Sequence, residues 1–184
     1  MSKSVLISIK PKWCELIANG KKTVEVRKTK PKLKPPFKCY IYCTKDKNNH
    51  FWTGKRYSYA DDHSHNAFDK GGNGKVIGEF VCDRIDTIDI IDDSIMTYIR
   101  VNQLSQLSQY SDVRITAETC LNIDQLQHYL DEKEGYGWHI SDLKIYDEPQ
   151  ELSEFEGLRK TKFGYEPIEI KRPPQSWCYV EECE

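Results

Sequence analysis

The first 60 of the 184 residues hold only three acidic side chains, Glu15, Glu25 and Asp46, against 15 lysines and arginines. The rest of the chain reverses the balance, with 26 acidic and 12 basic residues. The net charge of −2 therefore hides a basic first third and an acidic remainder. A basic part with interleaved aromatics is what a phosphate backbone attracts; the plainer account is that the two parts neutralise each other across the fold. Other absences narrow the class further. No apolar run reaches 18 residues, so no helix long enough to span a membrane is expected. The opening Met-Ser-Lys-Ser-Val lacks the apolar core of a signal peptide. The seven cysteines are odd in number and include no Cys-x-x-Cys pair, which fits a reduced, cytoplasmic chain. Cys39 and Cys43 then read as small buried residues rather than as metal or redox groups. There is no Gly-x-Gly-x-x-Gly, no Gly-Lys-Ser/Thr phosphate loop and no His-Glu-x-x-His, so no cofactor and no metal is expected.

What is present is organised around residues 7–27. Val5, Ile7 and Ile9 alternate as in a half-buried strand. Lys10-Pro11 ends that run, and proline suits a first helical turn, where its missing N–H has no partner anyway. Trp13, Leu16 and Ile17 recur at helical spacing and are expected to face the core of a helix over about 11–19. Asn19-Gly20 is a helix stop. From Thr23 to Arg27 alternation returns. Val24 and Val26 point to one face; Thr23, Glu25 and Arg27 point to the other, which reads as the wet or functional face.

These residues resemble the opening of an ASCH domain, a branch of the PUA-like β-barrel folds. Lys10, Pro11, Trp13, Gly20, Lys22, Glu25 and Arg27 stand where that family has its Pro-x-Trp helix start and its Gly-x-Lys-x-x-Glu-x-Arg strand. The likeness is weaker over Gly74–Phe80 and the carboxy-terminal strand. The resemblance implies a mixed α/β fold on a PUA-like β-barrel with flanking helices, and RNA or other nucleic acid as partner. One branch of the family hydrolyses the acetyl group of acetylcytidine with a lysine, a threonine three positions on and a carboxylate. Here the lysine is Lys22, but Glu25 stands in the threonine's place.

Lys28 to Lys38 carries five lysines and three prolines and reads as an extended basic loop. Phe37–Cys43 reads as a strand, with Tyr40 and Tyr42 on one face. Residues 44–73 read as a long loop insertion. Its Asp61, Asp62, His63 and His65 are metal-capable, but a solvated loop explains them. Gly74–Asp89 is the longest β-signal, bending at Gly78; Ile85–Ile99 mixes Ile/Asp alternation with a short helical signal. Gln103–Ser111 reads as a loop or weak helix. Asn122 is placed to cap a helix over about 122–131. A strand over Trp138–Tyr146 is expected to break at Asp147-Glu-Pro, followed by a helical turn at 151–155 and a closing strand after Gln175.

The expected molecule is a single domain over 1–184. Its leading function is nucleic-acid, above all RNA, binding. Lys10, Trp13, Lys22, Glu25 and Arg27 would line a cleft suited to a nucleotide or modified nucleoside, with Lys28, Lys30, Lys32 and Lys34 on the backbone phosphates. A second reading is a small amidohydrolase on an acylated nucleoside. In it Glu25 is a general base on water, and Lys22 or Arg27 stabilises the oxyanion. A third is a protein-interaction domain whose acidic part meets a basic partner.

Overall fold

A computed structural model describes residues 2–48, 51, 71–92, 97–102, 109–131 and 133–183. In chain order the elements are β1 (Lys3–Ile9), α1 (Pro11–Ala18), β2 (Val24–Arg27), β3 (Phe37–Cys43), β4 (Lys75–Asp92), β5 (Thr97–Val101), α2 (Gln109–Thr119), α3 (Ile123–Leu130), β6 (Gly135–Gln150), β7 (Glu156–Thr161), β8 (Gly164–Glu169) and β9 (Trp177–Glu181). A 3-10 turn covers Leu152–Glu154. The chain forms two compact units. Unit 1 comprises residues 1–18, 38–80 and 143–184; unit 2 comprises 19–37 and 81–142.

In unit 1 the strand order is β6-β4-β3-β1-β9-β7-β8. β1 lies parallel to β3, with Val5 opposite Cys39 and Ile9 opposite Cys43, and antiparallel to β9, with Val5 opposite Tyr179. As a central strand it is covered on both faces: Ser4, Val5, Leu6 and Ile7 are all 0% exposed. The half-buried reading of β1 is therefore corrected. Ser8 tolerates its buried place by donating its hydroxyl to the Pro174 carbonyl at 2.7 Å. Leu6, Tyr40, Tyr42, Val76, Phe155 and Val180 pack as one cluster, so the two tyrosines of β3 are core. Residues of α1 buried at spacing three are Pro11, Cys14 and Ile17, with Trp13 and Leu16 only half-buried. Gly78 is required by contact: a Cβ there would stand 2.4 Å from the Lys144 carbonyl oxygen on β6.

The strand β6 runs through Pro149 rather than breaking before it. It is an edge strand of unit 1, and so is β8, which carries Pro167. An edge position leaves proline's missing donor without a ladder partner to disappoint. The Ile/Asp alternation likewise continues β4 to Asp92, and β5 pairs back on it, with Ile90 opposite Ile99; no helix occupies the described part of that stretch.

Unit 2 has the order β2-β6-β4-β5, with α2 and α3 packed on it. Val24, Val26, Ile88, Ile99, Ile115, Leu126 and Leu130 form its core. The two α3 leucines are 0% exposed, and burial of each contributes about 1.5–3 kcal/mol. Asn122 starts α3 with a capping box: its side chain accepts from the Gln125 N–H at 2.8 Å, and Gln125 reaches back to the Asn122 N–H at 3.1 Å. Asp131, at φ 55°, stops it. The second helix read from the sequence is thus α3, and α2 precedes it as a further helix. In neither unit do the described pairings close into a ring.

Candidate nucleic-acid interface

Unit 2 assembles the charged side chains of the Lys22–Arg27 stretch. β2 pairs antiparallel with β6: Val24 opposite His139, Glu25 opposite Trp138, Val26 opposite Gly137 and Arg27 opposite Tyr136. Opposed residues share a face. Val24 and Val26 therefore turn to the helices, while Glu25 and Arg27 share the other face with Trp138 and Tyr136. The alternation read from the sequence holds, but the charged face is not wet. Glu25 is 4% exposed and Arg27 9%, and Lys22, just before the strand, is 2% exposed.

Buried charges need partners. Glu25 Oε2 lies 3.2 Å from Lys22 Nζ, and Oε1 lies 3.0 Å from Arg27 Nη1. Lys22 Nζ also donates to the Thr119 carbonyl at 2.7 Å, at the last residue of α2, where the helix dipole favours a cation. Trp138, fully buried opposite Glu25, meets Phe37 edge to face with centroids 5.9 Å apart. One carboxylate thus holds two cations against an aromatic wall. Thr23, the hydroxyl nearest in sequence, is exposed; its N–H donates to the Glu118 carbonyl and its own carbonyl accepts from Ile140, each at 2.9 Å.

The chain leaves β2 as the basic loop. Lys28, Lys30, Lys32 and Lys34 are exposed, while Pro31 is buried and Leu33 half-buried. Pro31 and Leu33 therefore anchor the loop and present Lys30, Lys32 and Lys34 around them. Lys28 Nζ lies 5.6 Å from the Tyr129 ring centroid and Lys30 Nζ 4.7 Å from that of Tyr136, cation–π distances that hold the ammonium groups over rings.

Lys10 and Trp13 belong to unit 1. The exposed Lys10 serves the start of α1, its carbonyl accepting from the Trp13 and Cys14 N–H groups at 2.9 and 3.0 Å. Lys12 Nζ stands 4.8 Å from the half-buried Trp13 ring. Asp61, Asp62, His63 and His65 lie outside the described residues.

A second polar cluster in unit 2 was not legible in the sequence. His139 Nε2 and Asp86 Oδ2 are 2.7 Å apart, Asn102 Nδ2 donates to Asp86 Oδ1 at 2.9 Å, and Arg84 Nε lies 3.3 Å from the same oxygen. Arg84 Nη2 is 3.1 and 3.2 Å from the two His139 ring nitrogens. An atom so nearly equidistant cannot lie in the ring plane without overlapping the carbon between them, so the guanidinium sits over the ring face. Burial pushes the Asp86 carboxyl up. The hydrogen bonds of Asn102 and His139 and the nearby positive charge outweigh it and hold the group below the usual carboxylate range. Its members come from positions 84, 86, 102 and 139, and no local spacing announces them.

The family model of the ASCH domain matches residues 7–174. The chain belongs to the ASCH domain family. No match was found among curated proteins. Among solved structures it is similar to an ASCH protein from Zymomonas mobilis, at 17% identity and a TM-score of 0.50, over 97% of this chain and 88% of that one. A tyrosine-to-phenylalanine variant of that protein is similar at the same identity and TM-score, over 98% and 92%. At such identity the likeness shows the fold alone. In ASCH terms, the Gly-x-Lys-x-x-Glu-x-Arg strand of this chain supplies the buried Lys22–Glu25–Arg27 cluster, and the Pro-x-Trp element supplies α1. No helix among the described residues is long and apolar enough to cross a membrane.

Proposed function

We propose that this ASCH domain binds RNA through unit 2, with the loop of Lys28, Lys30, Lys32 and Lys34 along the phosphate backbone. The observation that carries the reading is the loop's alternation. From Lys30 to Lys34 three exposed lysines alternate with the buried Pro31 and the half-buried Leu33, and the exposed Lys28 directly follows a strand fixed by buried ion pairs. Lysines two apart on extended chain are at most about 7 Å apart, close enough for several to engage one backbone. The buried Lys22–Glu25–Arg27 cluster holds the base of the loop, and the exposed lysines beyond it are the groups a phosphate would meet. The PUA-like barrel is the expected form of the sheet in this reading.

Binding is favoured over amide hydrolysis because each Glu25 oxygen already faces a cation at 3.0–3.2 Å. A carboxylate so placed orients positive groups; a general base needs an oxygen turned to water. The test is fluorescence anisotropy with labelled single-stranded and duplex RNA and DNA. Micromolar or tighter RNA binding that weakens with salt is the expected result. Absence of binding to all four nucleic acids would remove the reading and turn the search to protein partners.

A further inference from the structure

The β7–β8 hairpin of unit 1 carries a side chain that folding alone does not explain. Phe163, at the hairpin tip, is 97% exposed. The turn holds it there: Thr161 faces Gly164 across the hairpin, and the Phe163 N–H donates to Thr161 Oγ1 at 3.2 Å. That hydroxyl donates in turn to the Gly164 carbonyl at 3.3 Å. The exposed Lys162 precedes Phe163. Lys160, also exposed, stands opposite Tyr165 and so on the same sheet face. Lys3 Nζ is 4.1 Å from the Tyr165 ring centroid, and Tyr165 meets Tyr179 edge to face at 5.7 Å. Two aromatic rings with Lys3 and Lys160 beside them thus stand close to a hairpin tip that carries Lys162 and a bare phenyl group.

We propose that this strip is a second nucleic-acid contact. Phe163 stacks on an unpaired base, and Lys160 and Lys162 take the flanking phosphates. The chemistry favours single-stranded nucleic acid over a membrane or an apolar protein surface. Ile168, the other exposed apolar residue of the hairpin, stands opposite Gly157 and therefore on the other face from Tyr165. The strip offers one free ring among cations, the combination that base stacking and phosphate contact need, whereas membrane docking needs a broad apolar face. The proposal rests on the nucleic-acid reading of the chain but requires nothing of the Lys28–Lys34 loop.

The test measures anisotropy of a labelled, unstructured RNA oligonucleotide and of an RNA duplex. Phe163→Ala is expected to weaken single-strand binding by about 5- to 150-fold, the range of one lost base stack, and to leave duplex binding unchanged. Phe163→Tyr keeps the affinity. Phe163→Leu keeps apolar surface but no π-face, and falls with alanine. Because the side chain is solvent-exposed, the urea midpoint stays at the wild-type value in all three. Wild-type affinity in Phe163→Ala overturns the proposal. So does wild-type affinity in Phe163→Leu, which would indicate apolar docking. A Lys30/Lys32/Lys34→Glu variant separates the two sites. Loss there with no effect of Phe163→Ala removes the hairpin site alone, the opposite pattern removes the loop alone, and no binding by wild type removes both.

Discussion

Replacing Glu25 by glutamine takes away the single negative charge between two buried cations while keeping the side chain's size. In the wild type, the carboxylate meets Lys22 Nζ at 3.2 Å and Arg27 Nη1 at 3.0 Å, with Glu25 only 4% exposed. Glutamine offers one oxygen and one N–H₂ group, so whichever way it turns, one cation faces a donor. Lys22 keeps the Thr119 carbonyl, which moderates the loss on its side. Breaking a buried pair by removing one partner costs about 3–5 kcal/mol, and the retained carbonyl puts this case at the lower end, about 3 kcal/mol. With a urea slope of about 2–3 kcal/mol/M, the midpoint falls by about 1–1.5 M. Urea titration followed by tryptophan fluorescence reads this directly, since Trp138 lies fully buried opposite Glu25. The double variant Lys22→Met/Glu25→Gln should recover part of the loss, because it removes a charge that would otherwise be stranded. A midpoint within about 0.2 M of wild type for Glu25→Gln would refute the claim that the cluster is structural.

Asp86 gives a pH signature. Its carboxyl is held below the usual range in the fold, so the unfolded chain binds the proton more readily. Its contribution is complete above the ordinary carboxylate value near pH 4 and is lost as pH falls through the lower folded value. Asp86→Asn should therefore be less stable than wild type at pH 7, with the gap closing toward pH 3; a gap independent of pH would contradict the assignment. Gly78→Ala should cost about 1–3 kcal/mol or more, since its Cβ would stand 2.4 Å from a backbone oxygen that cannot step aside. A wild-type thermal midpoint would show that β4 and β6 are not so closely apposed there.

The sequence was most readable where the cause is local. Asn122 and Gln125 are three residues apart, and the capping box they make needs nothing else. The Gly20 stop, at φ 68°, is equally local. The ASCH motif placed Lys22, Glu25 and Arg27 together because Glu25 and Arg27 lie on one short strand and Lys22 just before it. What closed over them was not readable: Thr119 and Trp138 come from α2 and β6. For the same reason β1 passed for a half-buried strand, since β3 and β9 flank it from far along the chain. Pro149 looked like a strand breaker because sequence does not say which strands lie at an edge. The phase of α1 slipped from Trp13 to Cys14 because a lone eight-residue helix offers two overlapping apolar stripes.

The most direct test of the RNA reading is the salt dependence of single-stranded RNA affinity, compared between wild type and the Lys30/Lys32/Lys34→Glu variant. Each phosphate contact on a single strand contributes about 0.7 to the slope of log K against log salt. Loss of three contacts should flatten the slope by about 2 and weaken binding most at low salt. An unchanged slope with unchanged affinity would show that RNA, if bound, does not run along this loop, and would contradict the central claim.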